Sequence, residues 1–275
     1  MSSALRFFRN PSAIVGTTIF VLLLLITIIG PFFIQCPFEQ NLRRRLQGPS
    51  MEHWLGTDDF GRDMLARMVV GGRYSLTAGI VSVVLGLAGG LILGALAGFY
   101  GGYLDKTLMM LCDILLAFPS VLLAMAIVMI MEPGVYTPMI AVGISSIPVF
   151  ARLVRAQFMY LRESSFIEAA RSSGASDMRI MFRHLLPNSM GPIIIQATLR
   201  IGSSILAAAT LSFLGLGARA PTPEWGAMLS AARRFIWTGA HMAIIPGLAI
   251  TVTVVSVNLI GDALRDYFDP RTRGV

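Results

Sequence analysis

Charged side chains are scarce in this sequence, and lysine is almost missing. Asp, Glu, Lys and Arg make up 13% of the 275 residues, about half of the roughly 25% of an average soluble domain. Apolar residues reach 55% and the mean hydropathy is +0.71, a balance that excludes an ordinary soluble domain. The one lysine, Lys106, follows Asp105. A GxxxxGK(S/T) loop needs a Gly-Lys step to hold nucleotide phosphates, so that loop cannot be built, and the chain is expected to be no enzyme and to carry no ATPase site. His53, His184 and His241 stand far apart, as do Cys36 and Cys112. That excludes an HExxH helix, a zinc cluster and a disulfide framework. The 16 methionines lie mostly in apolar runs, where a thioether is a flexible core filler more readily than a metal pathway. No nucleophile-base pair stands out, and no catalytic residue, metal ligand or resident cofactor is assigned.

What the sequence has in abundance is apolar runs of about 20 residues, the length that crosses a hydrocarbon core. We place six, at Ile14–Gln35, Ser75–Tyr100, Leu108–Met131, Val135–Leu153, Gly191–Gly217 and Met242–Ile260. Pro138 and Pro148 interrupt the fourth. Residues 1–275 are expected to form one all-α transmembrane domain. The first run follows Arg6 and Arg9 but is too long for a signal peptide and lacks a small-x-small cleavage site, so it reads as a retained anchor.

Net charge is +7. The arginines are spread over the segments between runs and form no block, which argues against nucleic-acid binding. With both termini inside, the inner segments hold Arg6, Arg9, Lys106, Arg152, Arg155, Arg162, Arg171, Arg179, Arg183, Arg265, Arg271 and Arg273. The outer ones hold Arg43, Arg44, Arg45, Arg62, Arg67, Arg73, Arg219, Arg233 and Arg234. The positive-inside rule thus favours termini inside by a small margin. The first outer loop narrows it, and its acids Glu39, Glu52, Asp58, Asp59 and Asp63 could pair with part of that basic charge.

Gly86, Gly90, Gly94, Gly98 and Gly102 recur every four residues, preceded in phase by Ala78 and Ser82. That spacing makes one slowly drifting helical stripe without side chains, which lets another backbone approach closely. Its partner is either a helix of this chain or a second membrane chain. Ionisable residues inside runs are costly and therefore informative. Asp113 is expected to pair with an arginine near the inner interface. Arg200 lies near the middle of its run, one turn after Gln196. It reads either as half of a structural ion pair or as a lining of a translocation path, and Arg200, Gln196 and Asp113 are the candidate path residues.

The longest charged inner stretch lies within residues 154–190. Ser165-Phe166-Ile167-Glu168 fits a capping box, Gly174 can end the helix it starts by taking positive φ, and Ser176 or Asp177 can cap a second helix expected to stop before Pro187. Physical chemistry alone leaves this either a docking knob or an amphipathic hairpin on the lipid surface.

Glu168-Ala169-Ala170, Gly174 and Leu186-Pro187, at these spacings, resemble the EAA signature of the permease subunits of bacterial ABC importers. His184 stands where that signature usually has isoleucine. "HWLGTDDFGRDMLARMVVGGRYSL" (His53–Leu76), "DILLAFPS" (Asp113–Ser120), "LSFLGLG" (Leu211–Gly217), "PTPEWG" (Pro221–Gly226) and "GDALRDYFDPR" (Gly261–Arg271) are similar to the C-type permease of dipeptide, oligopeptide and nickel importers.

The resemblance implies a type I ABC importer permease fold with a cytoplasmic coupling helix, in the bacterial inner membrane with both termini cytoplasmic. Glu168, Ala169, Ala170 and Gly174 would meet the ATPase, and Leu186 and Pro187 would set the return into the next span. It also implies a homologous second permease, cytoplasmic ATPases that bind ATP and Mg, and an extracytoplasmic substrate-binding protein. Trp54, Trp225 and Trp237 are candidates for docking that protein, or for membrane anchors. The cargo would be di- or oligopeptides, with nickel or a metal chelate as the alternative; Arg200 suits a peptide carboxylate and suits a free metal cation badly. The alternative from another class is an ion-coupled secondary transporter, which predicts internal repeats that are not seen.

Overall fold

In the computed structural model, which describes residues 7, 8 and 10–268, the named elements are all helical. They are α1 (Pro11–Ile29), α2 (Met64–Tyr100), α3 (Gly102–Leu116), α4 (Ser120–Ile130), α5 (Thr137–Arg162), α6 (Ser165–Ser172), α7 (Asp177–Arg179), α8 (Leu186–Phe213), α9 (Trp225–Ala232) and α10 (His241–Phe268). A π-helical segment, Ile180–Leu185, joins α7 to α8. Five helical stretches are long and apolar enough to cross a membrane, and α3 with α4 makes a sixth if the bent pair counts as one. Arg6, Arg9, Arg271 and Arg273, counted above for orientation, and the end of the block that closes at Arg271 lie outside the described residues.

Proline decides two departures from the expected spans. The interval 108–131 is divided, because α3 and α4 meet at a 91° bend. Pro119 has extended ψ of 130° and cannot donate to a helix entering from α3, and it biases Phe118 away from helical geometry. Pro148, by contrast, lies inside an unbroken α5. Helix α2 starts earlier than expected, where the Asp63 carboxylate accepts the Ala66 amide at 2.8 Å. Its 37 residues span about 55 Å at 1.5 Å each, too long for an upright crossing of a core about 30 Å thick. Its first turns, with Arg67 and Arg73, join a cap of loops and short helices at one end of the bundle.

The glycine stripe of α2 packs within this chain, against α5. A Cβ on Gly86 would stand 2.9 Å from Ser146 Cβ, and one on Gly98 would stand 2.7 Å from the Arg155 carbonyl oxygen. Gly90 faces Phe150 and Gly94 faces Ala151 just as tightly. Ala78 packs with Met139 and Ala208, and Ser82 donates to the Met139 carbonyl at 2.8 Å. Only Gly102 of the series faces open space. Gly90→Ala is therefore expected to destabilise the folded chain by about 1–3 kcal/mol through overpacking. Gly48→Ala, with nothing within 4 Å of the added carbon, should be neutral, and thermal unfolding in detergent compares the two.

Helix ends sort onto two faces. Asn10 donates to Asp266 at 3.1 Å, Arg162 donates to the Phe99 carbonyl at 2.8 Å, and Phe268 approaches Gly191. One face thus carries the start of α1, the ends of α2, α5 and α10, and residues 163–190. The opposite face is a cap built from residues 33–63, α9 and the start of α10. There Asp58, 3% exposed, accepts the amides of Phe60 and Arg62 at 2.9 Å each and the Arg62 guanidinium at 2.6 Å, and faces Arg67 at 3.3 Å. Arg44 pairs with Glu52. The neutralised arginines explain why counting charge discriminates poorly between orientations. Burial, with the Asp58 charge adding to it, pushes the neighbouring Asp59 carboxyl above its ordinary range. His53 donates from Nδ1 to Asp63 at 2.8 Å while its Nε2 faces Arg44 at 3.2 Å, and His241 Nε2 donates to the Thr57 carbonyl at 2.9 Å.

Trp225 corrects the expectation that it docks a partner or anchors in lipid. It is 2% exposed in the core that joins α2, α8, α9 and α10, and its indole N–H donates to the Met68 carbonyl at 3.0 Å. Trp54 and Trp237 are exposed on that same cap face.

Candidate functional site

The stretch from Glu163 to Ser189 folds as an exposed knob on a buried apolar base. The base consists of Phe99, Val154, Phe158, Ile167, Ile180, Met181, Leu185 and Ile193. Ile167 is completely buried, whereas its neighbours Glu168 and Ala169 face outward. Ile167 is the one buried residue among the eight of α6, so a single side chain anchors the helix and most of the rest is presented. Arg171 lies over the Phe99 ring, 5.9 Å from its centre. Beside it a recess of about 650 Å³ is lined by Arg162, Glu163, Glu168, Arg171 and Asp177 among others.

The capping box expected from Ser165 to Glu168 is not formed. The N-cap is Ser164, one residue earlier, without a side-chain cap; its hydroxyl donates to the Leu161 carbonyl instead. A hydroxyl directly after a helix end finds the freed carbonyls of that helix before it can turn to the next one. Gly174 behaves as expected: its φ is +78°, its amide bonds to the Arg171 carbonyl at 2.9 Å, and the Ala175 amide reaches back to Ala170 at 3.0 Å. This pair of bonds is a Schellman motif, which needs a left-handed residue at Gly174's position.

The second helix was expected to stop before Pro187 and instead continues. Leu186 donates to the Met181 carbonyl, five residues back. The wider π turn makes room for the Pro187 ring, which in an α-helix would clash with the carbonyl four residues earlier. Asn188 then donates its side-chain amide to the His184 carbonyl at 2.6 Å. His184 itself is half-buried beside buried Leu185. The structure brings the two parts of the signature onto one base: Glu168, Ala169 and Gly174 exposed, Ala170 half-buried, and Leu186 and Pro187 at the entry to α8.

The three path candidates do not share one cavity. Asp113 pairs with Arg152 at 2.5 Å, and both side chains are more than half exposed. Arg200 lines a cavity of about 210 Å³ between α4, α5 and α8 whose lining includes neither Gln196 nor Asp113. No acidic side chain lies within ion-pair distance of Arg200 among the described residues. Ile167 had no anchoring role assigned from the sequence, because Phe166 beside it is equally apolar and no local signal says which of the two is buried. The Arg155–Asp105 pair, with one bond at 2.6 Å, joins residues 50 apart in sequence and left no local signal.

Residues 90–274 match the family model of the binding-protein-dependent transport system inner membrane component. This chain belongs to that family. Residues 2–49 match the N-terminal transmembrane domain of oligopeptide transport permease C. The chain is 49% identical over 266 residues to the dipeptide transport system permease protein DppC of Alkalihalophilus pseudofirmus, covering 96% of this chain and 88% of that protein. It is 47% identical over 270 residues to the glutathione transport system permease protein GsiD of Pectobacterium atrosepticum, covering 98% and 90%. Among solved structures it is similar to a chain of the MetNI methionine ABC transporter in an inward-facing conformation, with a TM-score of 0.61 and 21% identity over 75% of this chain and 98% of that one. The all-helical fold is that of a type I ABC importer permease, and the chain is a transport component and multi-pass membrane protein.

Proposed function

We propose that this chain forms half of the translocation pathway of an ATP-driven importer of di- or oligopeptides. The knob at residues 163–189 couples that pathway to cytoplasmic ATPases. The observation that carries the reading is the exposure of Glu168, Ala169 and Gly174 on a body anchored by Ile167, Ile180 and Leu185, a shape that transmits a push rather than yielding to it. Small side chains at Ala169 and Ala170 permit close approach of a partner. A shift of the knob moves α5 and α8 together, because both contribute to its base, and this supports a change in access between the two sides of the membrane.

In this reading ATP and Mg²⁺ are bound by the ATPase subunits and this chain binds no cofactor. A homologous second permease completes the pore, and an extracytoplasmic binding protein delivers cargo on the face opposite the knob. The face carrying the knob, the start of α1 and the end of α10 is then cytoplasmic, which places both termini inside. Peptides are favoured over nickel or a metal chelate because the relatives named above are a dipeptide and a glutathione permease. Arg200, Gln196 and Asp113 remain the candidate path residues, and the cavity beside Arg200 supports that one most.

The test is reconstitution of this permease with its sibling, ATPases and binding protein in liposomes. ATP-dependent uptake of labelled dialanine is expected. Uptake driven by an ion gradient without ATP would favour a secondary transporter, and uptake of nickel alone would favour the metal reading.

A further inference from the structure

Arg200 is a cation held at mid-span without a counter-ion among the described residues. It lies midway along α8, where an ionised side chain costs about 2.5–3.5 kcal/mol by insertion scales. Such a residue is retained where it faces water or a ligand. Its cavity is bordered by hydroxyl groups whose protons are largely committed. Ser145 and Ser146 donate to the Val142 carbonyl at 2.9 and 2.8 Å, Ser203 donates to the Arg200 carbonyl at 3.0 Å, and Thr210 donates to the Leu206 carbonyl at 2.8 Å. What these groups turn to the cavity is oxygen lone pairs, so among the described residues the guanidinium is its one ionised donor and no carboxylate lines it.

This distribution has a definite complement. A guanidinium takes a carboxylate through two parallel hydrogen bonds, while hydroxyl oxygens accept from amide or ammonium N–H groups. A bare divalent cation would meet a fixed positive charge and no anionic ligand. The volume of about 210 Å³ lies below the roughly 300–1,000 Å³ of ordinary small-molecule pockets, as half of a site shared with a second chain would. We propose that the Arg200 cavity is a carboxylate subsite of the pathway, so that passage through this permease favours cargo with a free carboxylate. The proposal rests on the peptide-import reading above.

The experiment compares uptake of labelled dialanine and labelled dialanine amide by the complete importer, with wild-type chain and with Arg200→Gln. The binding protein is a separate chain and selects identically in both, so any change in the ratio of the two probes belongs to the permease. Loss of one charge-assisted contact should lower dialanine uptake about tenfold and leave the amide's rate where it was. An equal loss for both probes, or no loss, overturns the subsite. If neither form carries the amide, the amount of assembled complex decides. A tenfold loss of dialanine uptake at wild-type complex yield, recovered in Arg200→Lys, supports the subsite; a loss that tracks complex yield overturns it. Absence of ATP-dependent dialanine uptake by the wild-type importer overturns the peptide reading and this proposal together, whereas normal wild-type uptake with both probes changed equally, or not at all, by Arg200→Gln overturns this proposal alone.

Discussion

Gly174→Val is expected to abolish ATP-driven uptake while the chain still inserts and folds. Nothing lies within 4 Å of a carbon added there, so the penalty is not steric crowding by the surroundings. It is the left-handed backbone, which costs a non-glycine residue about 1–2 kcal/mol and a β-branched one more. The cheapest relief is to open the Schellman turn, which releases α6 from its fixed angle to α7 and α8. The base below, with Ile167, Ile180 and Leu185 fully buried, should keep the domain folded. Gly174→Asn, which tolerates positive φ, should retain most activity. Ala169→Phe is expected to match the valine variant by a different route, crowding the exposed face without disturbing the turn. The measurements are uptake, substrate-stimulated ATP hydrolysis and the amount of chain in the membrane. Normal coupling in Gly174→Val and Ala169→Phe at wild-type levels would remove the knob from the mechanism.

Asp58→Ala is expected to cost about 3–5 kcal/mol, the usual penalty for leaving a buried charge without its partner. Two cations lean on that carboxylate: Arg62 and Arg67 are each 5% exposed, Arg62 keeps a longer contact of 3.6 Å to Asp59, and among the described residues Arg67 otherwise reaches the Pro37 and Pro221 carbonyls, at 3.4 and 3.3 Å. Asp58 also accepts two backbone amides that would be left unsatisfied. The cap from Pro37 to Asp63 should therefore loosen first, visible as fast hydrogen exchange there and as a lower melting temperature in detergent. Glu52→Ala is the contrast. Its partner Arg44 is exposed, and a surface pair contributes at most about 1 kcal/mol. Equal effects of the two substitutions would mean that the cap is solvated and that Asp58 is no keystone.

The small-residue stripe of α2 was legible because a helix repeats its faces at a known angle. Its partner was not, since periodicity identifies a face and leaves open what covers it; α5 emerges only from the packing of Gly86 to Gly98 against Ser146 to Phe158. Gly174 was legible in the same local sense, and its turn depends on bonds within six residues. The capping box failed by one position because Ser164 and Ser165 are chemically alike, and the nearby Leu161 carbonyl chose between them. Proline gave opposite results at Pro119, which breaks a span, and at Pro148 and Pro187, which helices absorb. A missing amide is penalised or tolerated according to whether a neighbouring turn can widen or bend, and that is a property of the surroundings.

Trp225 and Trp237 make the same point with one residue type. One is walled in by four helices and the other stands free, although both occur in short polar stretches between apolar runs. From the sequence alone came the membrane class, the approximate number and place of the apolar helices, the absence of a nucleotide loop and the spacing of the EAA-type signature. Each follows from composition or from geometry within a few residues. The tertiary structure alone decided which helix fills the glycine stripe, that Asp113 has Arg152 while Arg200 has no counter-ion among the described residues, and that part of the first loop's charge, Asp58 with Arg62, joins Arg67 in a buried network. Those outcomes depend on which side chains meet across tens or hundreds of residues, and the dielectric and the partner at each meeting place set the energy.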